Sequence, residues 1–167
     1  HQVTSFAGID VESAANVFTA ESDEVLKQVC LQTVGASDVK IEIYKLNSGF
    51  TSPQDGKLLS SFDASFDFTG IHTVECPENI RLNAGDTFSI VVISKSNLLL
   101  NFKSDSNNEV SGRSYCITNG ESWTDVADKW QCGYAAIKAY TSNDGKVNKT
   151  ELEELVKTGE EITPDKD

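Results

Sequence analysis

The chain has 167 residues, 38% hydrophobic and 24% charged, the composition of a globular domain with its own core and not of a disordered segment. A formal net charge of −12 and a pI near 4.5 argue against nucleic acid and against an anionic membrane surface, since both would be repelled. The longest apolar runs, such as Phe88–Ile93 and Leu98–Leu100, are too short to span a bilayer, so no membrane insertion is expected.

The stretch from Gln2 to Glu12 is weakly patterned and is expected to pair late or to pack as an edge. Asn16–Ala20 reads as a short strand closed by the turn at Asp23-Glu24. Leu26 to Thr33 alternates, and the set Val25, Lys27, Val29, Leu31, Thr33 is the more apolar side. Val39–Leu46 alternates apolar and polar almost without error, the signature of a half-buried strand. Asn47 to Lys57 carries Ser-Gly, Ser-Pro and Asp-Gly loop signals. Strands are then expected at Leu58–Ala64, Ile71–Cys76 and Ile80–Leu82, the last stopped by Asn83-Ala84-Gly85-Asp86.

Thr87–Ser94 has a continuous apolar centre, Ile90-Val91-Val92-Ile93, which predicts burial on both faces. Leu98–Phe102, Ser114–Thr118 and Ala135–Tyr140 complete the set, with an Asn119-Gly120 hairpin signal between Ile117 and Trp123. Short strands at regular spacing, with turn chemistry between them, predict an all-β fold. The expected architecture is an antiparallel two-sheet β-sandwich of jelly-roll type. Only the tail has a helical period. In Lys149–Gly159, Leu152, Leu155 and Val156 form an apolar stripe, Thr150 can cap with Glu153 three residues on, and Glu153 pairs with Lys157. A short C-terminal α-helix is expected there, with no partner for its stripe.

Cys30, Cys76, Cys116 and Cys132 include no Cys-x-x-Cys pair, which removes the usual zinc and redox readings. Cys30, Cys116 and Cys132 lie in apolar strand patterns and read as small buried hydrophobes with free thiols; if one bridge forms, it is Cys116–Cys132. Catalytic motifs are missing: no His-Glu-x-x-His, Gly-x-Ser-x-Gly or Walker-type loop occurs. Cys76 shares a strand face with His72 but stands two pleats away, too far for a nucleophile–base hydrogen bond. No enzymatic activity of the chain is expected.

Two segments resemble known elements in part. Asn143 to Glu151 is similar to half of a calcium loop, with Gly145 at the sixth position, Val147 at the eighth and Glu151 at the twelfth. The first position would be Tyr140, which cannot ligate, so the segment reads as an inter-module turn. No metal or other cofactor is expected, and calcium is the alternative. Cys116–Trp123 resembles a degenerate Asp-box, matching at Gly120, Ser122 and Trp123, which implies a hairpin fold element with Trp123 as packing. Of the aromatics near loops, Tyr44, Tyr115, Trp130 and Tyr134, some can stack on sugar faces while Asp and Arg bond hydroxyls. The candidate ligand-binding set is Arg113, Tyr115, Asp125 and Trp130; the competing reading is that these residues close the end of the sandwich.

Longer strings point to a family. Ala15-Asn16-Val17-Phe18-Thr19-Ala20, Leu26-Lys27-Gln28-Val29, Ile41-Glu42-Ile43-Tyr44, Gly70-Ile71-His72-Thr73-Val74 and the run Leu82–Val92 occur in order. Ser122-Trp123-Thr124-Asp125 and Ala136-Ile137-Lys138-Ala139-Tyr140 follow. Together they resemble the lectin-like module appended to papain-type cysteine peptidases of gut and rumen anaerobes, over about Ala14 to Thr141. The resemblance implies an accessory sandwich on a secreted or wall-attached enzyme; it carries over no sugar-binding triad. Cys30, Cys76 and Cys116 depart from the ordinary strand residues expected there. Asn148 through Ile162 is similar to the first helix of the small three-helix FIVAR modules of bacterial surface proteins.

The expected organisation is a lectin-like module at 1–142 and a linker with a truncated FIVAR-like helix at 143–167. His1-Gln2-Val3 is neither a start nor a signal-peptide n-region, which suggests a piece of a larger protein. The expected role is non-catalytic targeting of an extracellular or cell-surface bacterial hydrolase or peptidase, by binding glycan or glycoprotein. The alternative is a structural module that positions a neighbouring catalytic domain, with the apolar strand around Leu98–Leu100 as its contact. The neighbouring domains of the parent are partners in both cases.

Overall fold

The computed structural model describes residues 3–4, 11–33, 36–68, 70–94, 102–103, 112–118, 122–126, 134–135, 137–143 and 146–147. In chain order the strands are β1 (Val3–Thr4), β2 (Val11–Thr19), β3 (Glu24–Thr33), β4 (Ser37–Leu46), β5 (Gly56–Phe66), β6 (Gly70–Leu82) and β7 (Thr87–Ser94). They continue as β8 (Phe102–Lys103), β9 (Ser114–Thr118), β10 (Thr124–Asp125), β11 (Tyr134–Ala135), β12 (Ile137–Asn143) and β13 (Lys146–Val147).

The strands form a six-stranded sheet in the order β10-β9-β2-β7-β4-β5 and a four-stranded sheet in the order β13-β12-β3-β6, with a small ladder β1-β8-β11. All pairs are antiparallel. The chain crosses between the two large sheets at β2–β3, β3–β4, β5–β6 and β6–β7, and β7 returns between β2 and β4. This is the two-sheet jelly-roll sandwich that the strand spacing predicts. One continuous core lies between the sheets, built from Ile41, Ile43, Phe88, Ile90 and Val92 on one side and Leu26, Val29, Leu31, Ile80 and Ile137 on the other. Sealing that apolar surface from water is the main stabilising term of such a fold.

Three strands differ from the period-2 expectation, each for a physical reason. The ladder between β3 and β6 shifts register between Leu26 and Gln28, so the inward face runs Leu26 and then Val29 and Leu31, while Lys27 turns out to donate to Asn79 Oδ1 at 2.9 Å. A bulge inserts a residue and moves the alternation to the other face. The predicted pieces Ile71–Cys76 and Ile80–Leu82 are one strand, β6, interrupted in its pairing around Pro77, which has no N–H to give to the ladder. Residues 11 and 12, expected to pair late or to pack as an edge, open β2, which is interior and pairs with both β7 and β9.

Asn16 is the polar exception at the core margin. It is 5% exposed, and its Nδ2 donates to Ala135 O at 2.6 Å and Ile137 O at 2.9 Å. Its Oδ1 accepts from Ser114 Oγ at 2.8 Å, and that hydroxyl accepts the N–H of Ala135 at 2.8 Å. One amide thus ties β2 to β9, β11 and β12 with its polar atoms satisfied. The end of β12 pairs with β13, Ser142 with Val147 and Asn143 with Lys146. The predicted C-terminal helix, its FIVAR-like continuation, Leu98–Leu100, Trp130 and Cys132 lie outside the described residues.

Candidate functional site

The six-stranded sheet has a face turned away from the core, and register alone sets which residues share it. Ser61, Glu42, Val91, Ala15, Tyr115 and Asp125 stand directly opposite one another across β5, β4, β7, β2, β9 and β10. Strands lie about 4.8 Å apart, so Glu42 and Tyr115 are about 14 Å from each other along this row. The face is not a bare sheet surface. Ala15, Ser89 and Val91 on it are 0% exposed.

The loop 47–55 folds over the face at its β4 side. Ser89 Oγ donates to Pro53 O, which seats the loop on β7. The loop is braced from within by Asp55, whose Oδ1 accepts from Asn47 Nδ2 at 3.1 Å and whose Oδ2 accepts from the Thr51 N–H at 3.0 Å. The bond from the Thr51 backbone, and then that from Asn47, hold the Asp55 carboxyl below its ordinary value. Gln54 is thereby presented above β4. Its Nε2 donates to Glu42 Oε1 at 3.0 Å, and its Oε1 accepts the indole N–H of Trp123 at 2.8 Å. The Tyr44 hydroxyl donates to the same Glu42 oxygen at 3.1 Å. Burial first, and the adjacent Glu42 carboxylate second, raise the Tyr44 phenol above its usual range, so it stays a donor at neutral pH.

The residues predicted as a ligand-binding set lie at the other end of the row. Tyr115 and Asp125 face each other in the β9–β10 ladder, which is the hairpin predicted between Ile117 and Trp123. Arg113 is exposed just before β9, and its carbonyl accepts the Val17 N–H at 2.7 Å. Asp125 Oδ2 accepts the N–H of Gly112, a glycine at φ 83° in the left-handed region. Asp125 therefore holds the turn that leads into Tyr115, which is half-buried. Trp130 lies outside the described residues.

Sequence reading did not find Glu42 or Gln54 and took Trp123 for packing. Glu42 sits at an outward position of an alternating strand, where a solvated carboxylate is ordinary, yet it is 8% exposed. Among the described residues, Gln54 of the 47–55 loop is what reaches over it, and that loop carries turn signals without a contact signal.

The Cys-His chemistry has no geometry to support it. His72 Nε2 lies 3.0 Å from both Phe68 O and Thr33 Oγ1, and its ring stacks on Phe66 at 4.2 Å. A carbonyl only accepts, so Nε2 carries the proton in the bond to Phe68. Burial pushes the Cys76 thiol up to about 11, the opposite of what a nucleophile needs. Cys30, Cys76 and Cys116 are not joined by disulfides, and Cys30 and Cys116 are buried. No group of three or more metal-ligating side chains occurs among the described residues.

A family model described as a lectin-like domain matches residues 3–141. Two solved structures are similar in fold. One contains the cysteine protease and lectin-like domains of Cwp84, a surface layer associated protein of Clostridium difficile; the other is the clostridial cysteine protease Cwp84 after propeptide cleavage. Each is 22% identical over 81% of this chain with a TM-score of 0.61, and the match covers 33% and 36% of the respective structure. The chain thus spans about a third of the length of those structures. A search of curated proteins gave no significant match.

Proposed function

Because the chain belongs to the lectin-like domain family, with which residues 3–141 align, we propose that it is a non-catalytic accessory module of a secreted or surface-anchored bacterial protein. The parent in this reading is a peptidase or another hydrolase, and the module binds glycan or glycoprotein to hold it at its substrate. The observation that carries the reading is the outward row of the six-stranded sheet. Tyr115 pairs with Asp125 at one end of it and Arg113 precedes Tyr115 by two residues, which supports reading these as a ring with hydroxyl-bonding partners for a sugar. Asp125 contributes by holding the Gly112 turn as well as by its charge.

Binding at one shallow site is weak, and repetition of the module in the parent would raise it by avidity. The test is a glycan array probed with the tetramerised chain. Binding is expected for the native sequence and a loss of at least about tenfold for Tyr115→Ala. A blank array with the tetramer would sink the reading.

A second reading is favoured by one finding: in the similar Cwp84 structure the lectin-like and protease domains share a chain. The module would then buttress or position its catalytic neighbour. Deleting it from the full-length parent separates the two. If the catalytic domain loses thermal stability and activity on small substrates, the structural role is supported. If only turnover of polymeric or glycosylated substrate falls, targeting is supported.

A further inference from the structure

We infer that Glu42 and Trp123 form a second sugar-binding subsite, built on residues other than the Arg113, Tyr115 and Asp125 set, that takes a non-acidic hexopyranose, neutral or amino. The inference rests on the glycan-binding reading above and names the ligand class and the residues that select it.

Glu42 is the only acidic side chain among the described residues that is buried, at 8% exposure, and it points away from the core. Both of its hydrogen bonds go to one oxygen: Tyr44 Oη and Gln54 Nε2 donate to Oε1. Oε2 takes no hydrogen bond from the described residues, and it is not one of the sealed polar atoms. A carboxylate held by two donors on one oxygen has little rotational freedom, so its other oxygen is an aimed acceptor.

The ring beside it is aimed as well. Trp123 donates its indole N–H to Gln54 Oε1, the amide that also holds Glu42. Gln54 therefore couples the aromatic ring to the carboxylate, and the internally bonded 47–55 loop fixes Gln54. An indole that is half-buried, with its polar edge already satisfied, leaves apolar ring surface for the C–H face of a pyranose. An open carboxylate oxygen beside it accepts from a sugar hydroxyl, or from the ammonium of an amino sugar.

The same atom sets what is refused. A sialic acid, uronic acid or sulfated sugar would place a second negative charge against Glu42. The chain as a whole carries −12, which adds long-range repulsion. Lys40, two residues along β4 on the same face, stands opposite Asp63 across the β4–β5 ladder.

The test compares the tetramerised native chain with Glu42→Gln and Tyr115→Ala on an array of neutral hexose, N-acetylhexosamine, free hexosamine, sialylated and sulfated glycans. Glu42→Gln can keep its carbonyl oxygen under Tyr44 and Gln54 while turning the open acceptor into a donor, so the fold is preserved; matched melting temperatures confirm it. The expected result is binding confined to neutral or amino glycans, with at least about a tenfold loss for Glu42→Gln. If binding is unchanged by Glu42→Gln but lost with Tyr115→Ala, the subsite is overturned and the glycan-binding role survives. Preference for sialylated or sulfated glycans overturns the subsite too. No binding to any glycan overturns both.

Discussion

Trp123 and Gln54 are 69 residues apart in the chain and meet through a 2.8 Å hydrogen bond from the indole to the amide oxygen. The bond joins the residue just before β10, at one edge of the six-stranded sheet, to the loop between β4 and β5 near the other edge. A turn and a hairpin that share no backbone ladder are thereby fixed relative to each other.

Replacing Trp123 with Phe keeps an aromatic ring and removes the donor. A half-buried amide oxygen is then left to water, and the expected loss is about 1 kcal/mol. The urea midpoint should fall with an unchanged slope, which distinguishes lost stability from a changed unfolded state. An unchanged midpoint would mean that the bond contributes nothing.

The Asn16 clip should be far more sensitive. Asn16→Leu keeps the number and branching of side-chain heavy atoms but strands the carbonyls of Ala135 and Ile137 and removes the acceptor for Ser114. Buried polar groups left without partners cost about 1–3 kcal/mol each, partly relieved by relaxation. A total loss of roughly 2–4 kcal/mol is expected in chemical denaturation. Ser114→Ala, which keeps both amide bonds, should cost less.

Gly56→Ala tests the base of the loop that presents Gln54. A Cβ there would lie within contact of the Lys45 carbonyl and 2.8 Å from Leu46 Cα, and neither is a flexible side chain. The β4–β5 hairpin must shift to admit it, at a cost of about 1–3 kcal/mol. The specific expectation is a loss of glycan binding at a temperature where the variant is still folded. Retained binding would show that the loop tolerates the shift.

Cys76 should alkylate slowly. With the thiol near 11, it carries much less thiolate at pH 8 than an exposed cysteine near 8.5, and iodoacetamide should react about two orders of magnitude more slowly. Peptide mass spectrometry reads this residue separately from the other cysteines. The rate should climb with pH up to about 11. The linkage has a definite sign: the folded state holds the proton more tightly, so this contribution is intact below about 8.5 and is lost as pH rises through the folded value.

Much of the sandwich was readable from the residues. β4 announces itself through the alternation Val39–Leu46, and the continuous centre of β7 predicts its burial on both faces, where Ile90, Val91 and Val92 are 0% exposed. What alternation cannot carry is a change of phase. The bulge after Leu26 moves that residue to the core and Lys27 to solvent, and Pro77 interrupts pairing without ending β6. The site was legible only in part. Tyr115 and Asp125 belong to short strands whose pairing the Asn119-Gly120 hairpin signal predicts, and β9 and β10 do pair. Glu42 and Gln54 become unusual only through a loop that folds back over its own strand. Asn16, read as one residue of a strand, acquires its role from partners more than 100 positions away.

The interior position of β2 has a kinetic consequence. Ala15 pairs with Val91 on one side and with Tyr115 on the other, separations of 76 and 100 residues (91 − 15 and 115 − 15). No hairpin partner is available to this strand early in synthesis. Its slot in the sheet can close only after β9 has emerged, so the first long strand to be made is among the last to be seated. Chains dominated by such distant pairings fold on millisecond-to-second timescales. Until then, β2 and β7 leave unpaired backbone available to other chains, and a module strung in repeats would be exposed to strand exchange between neighbours during that interval.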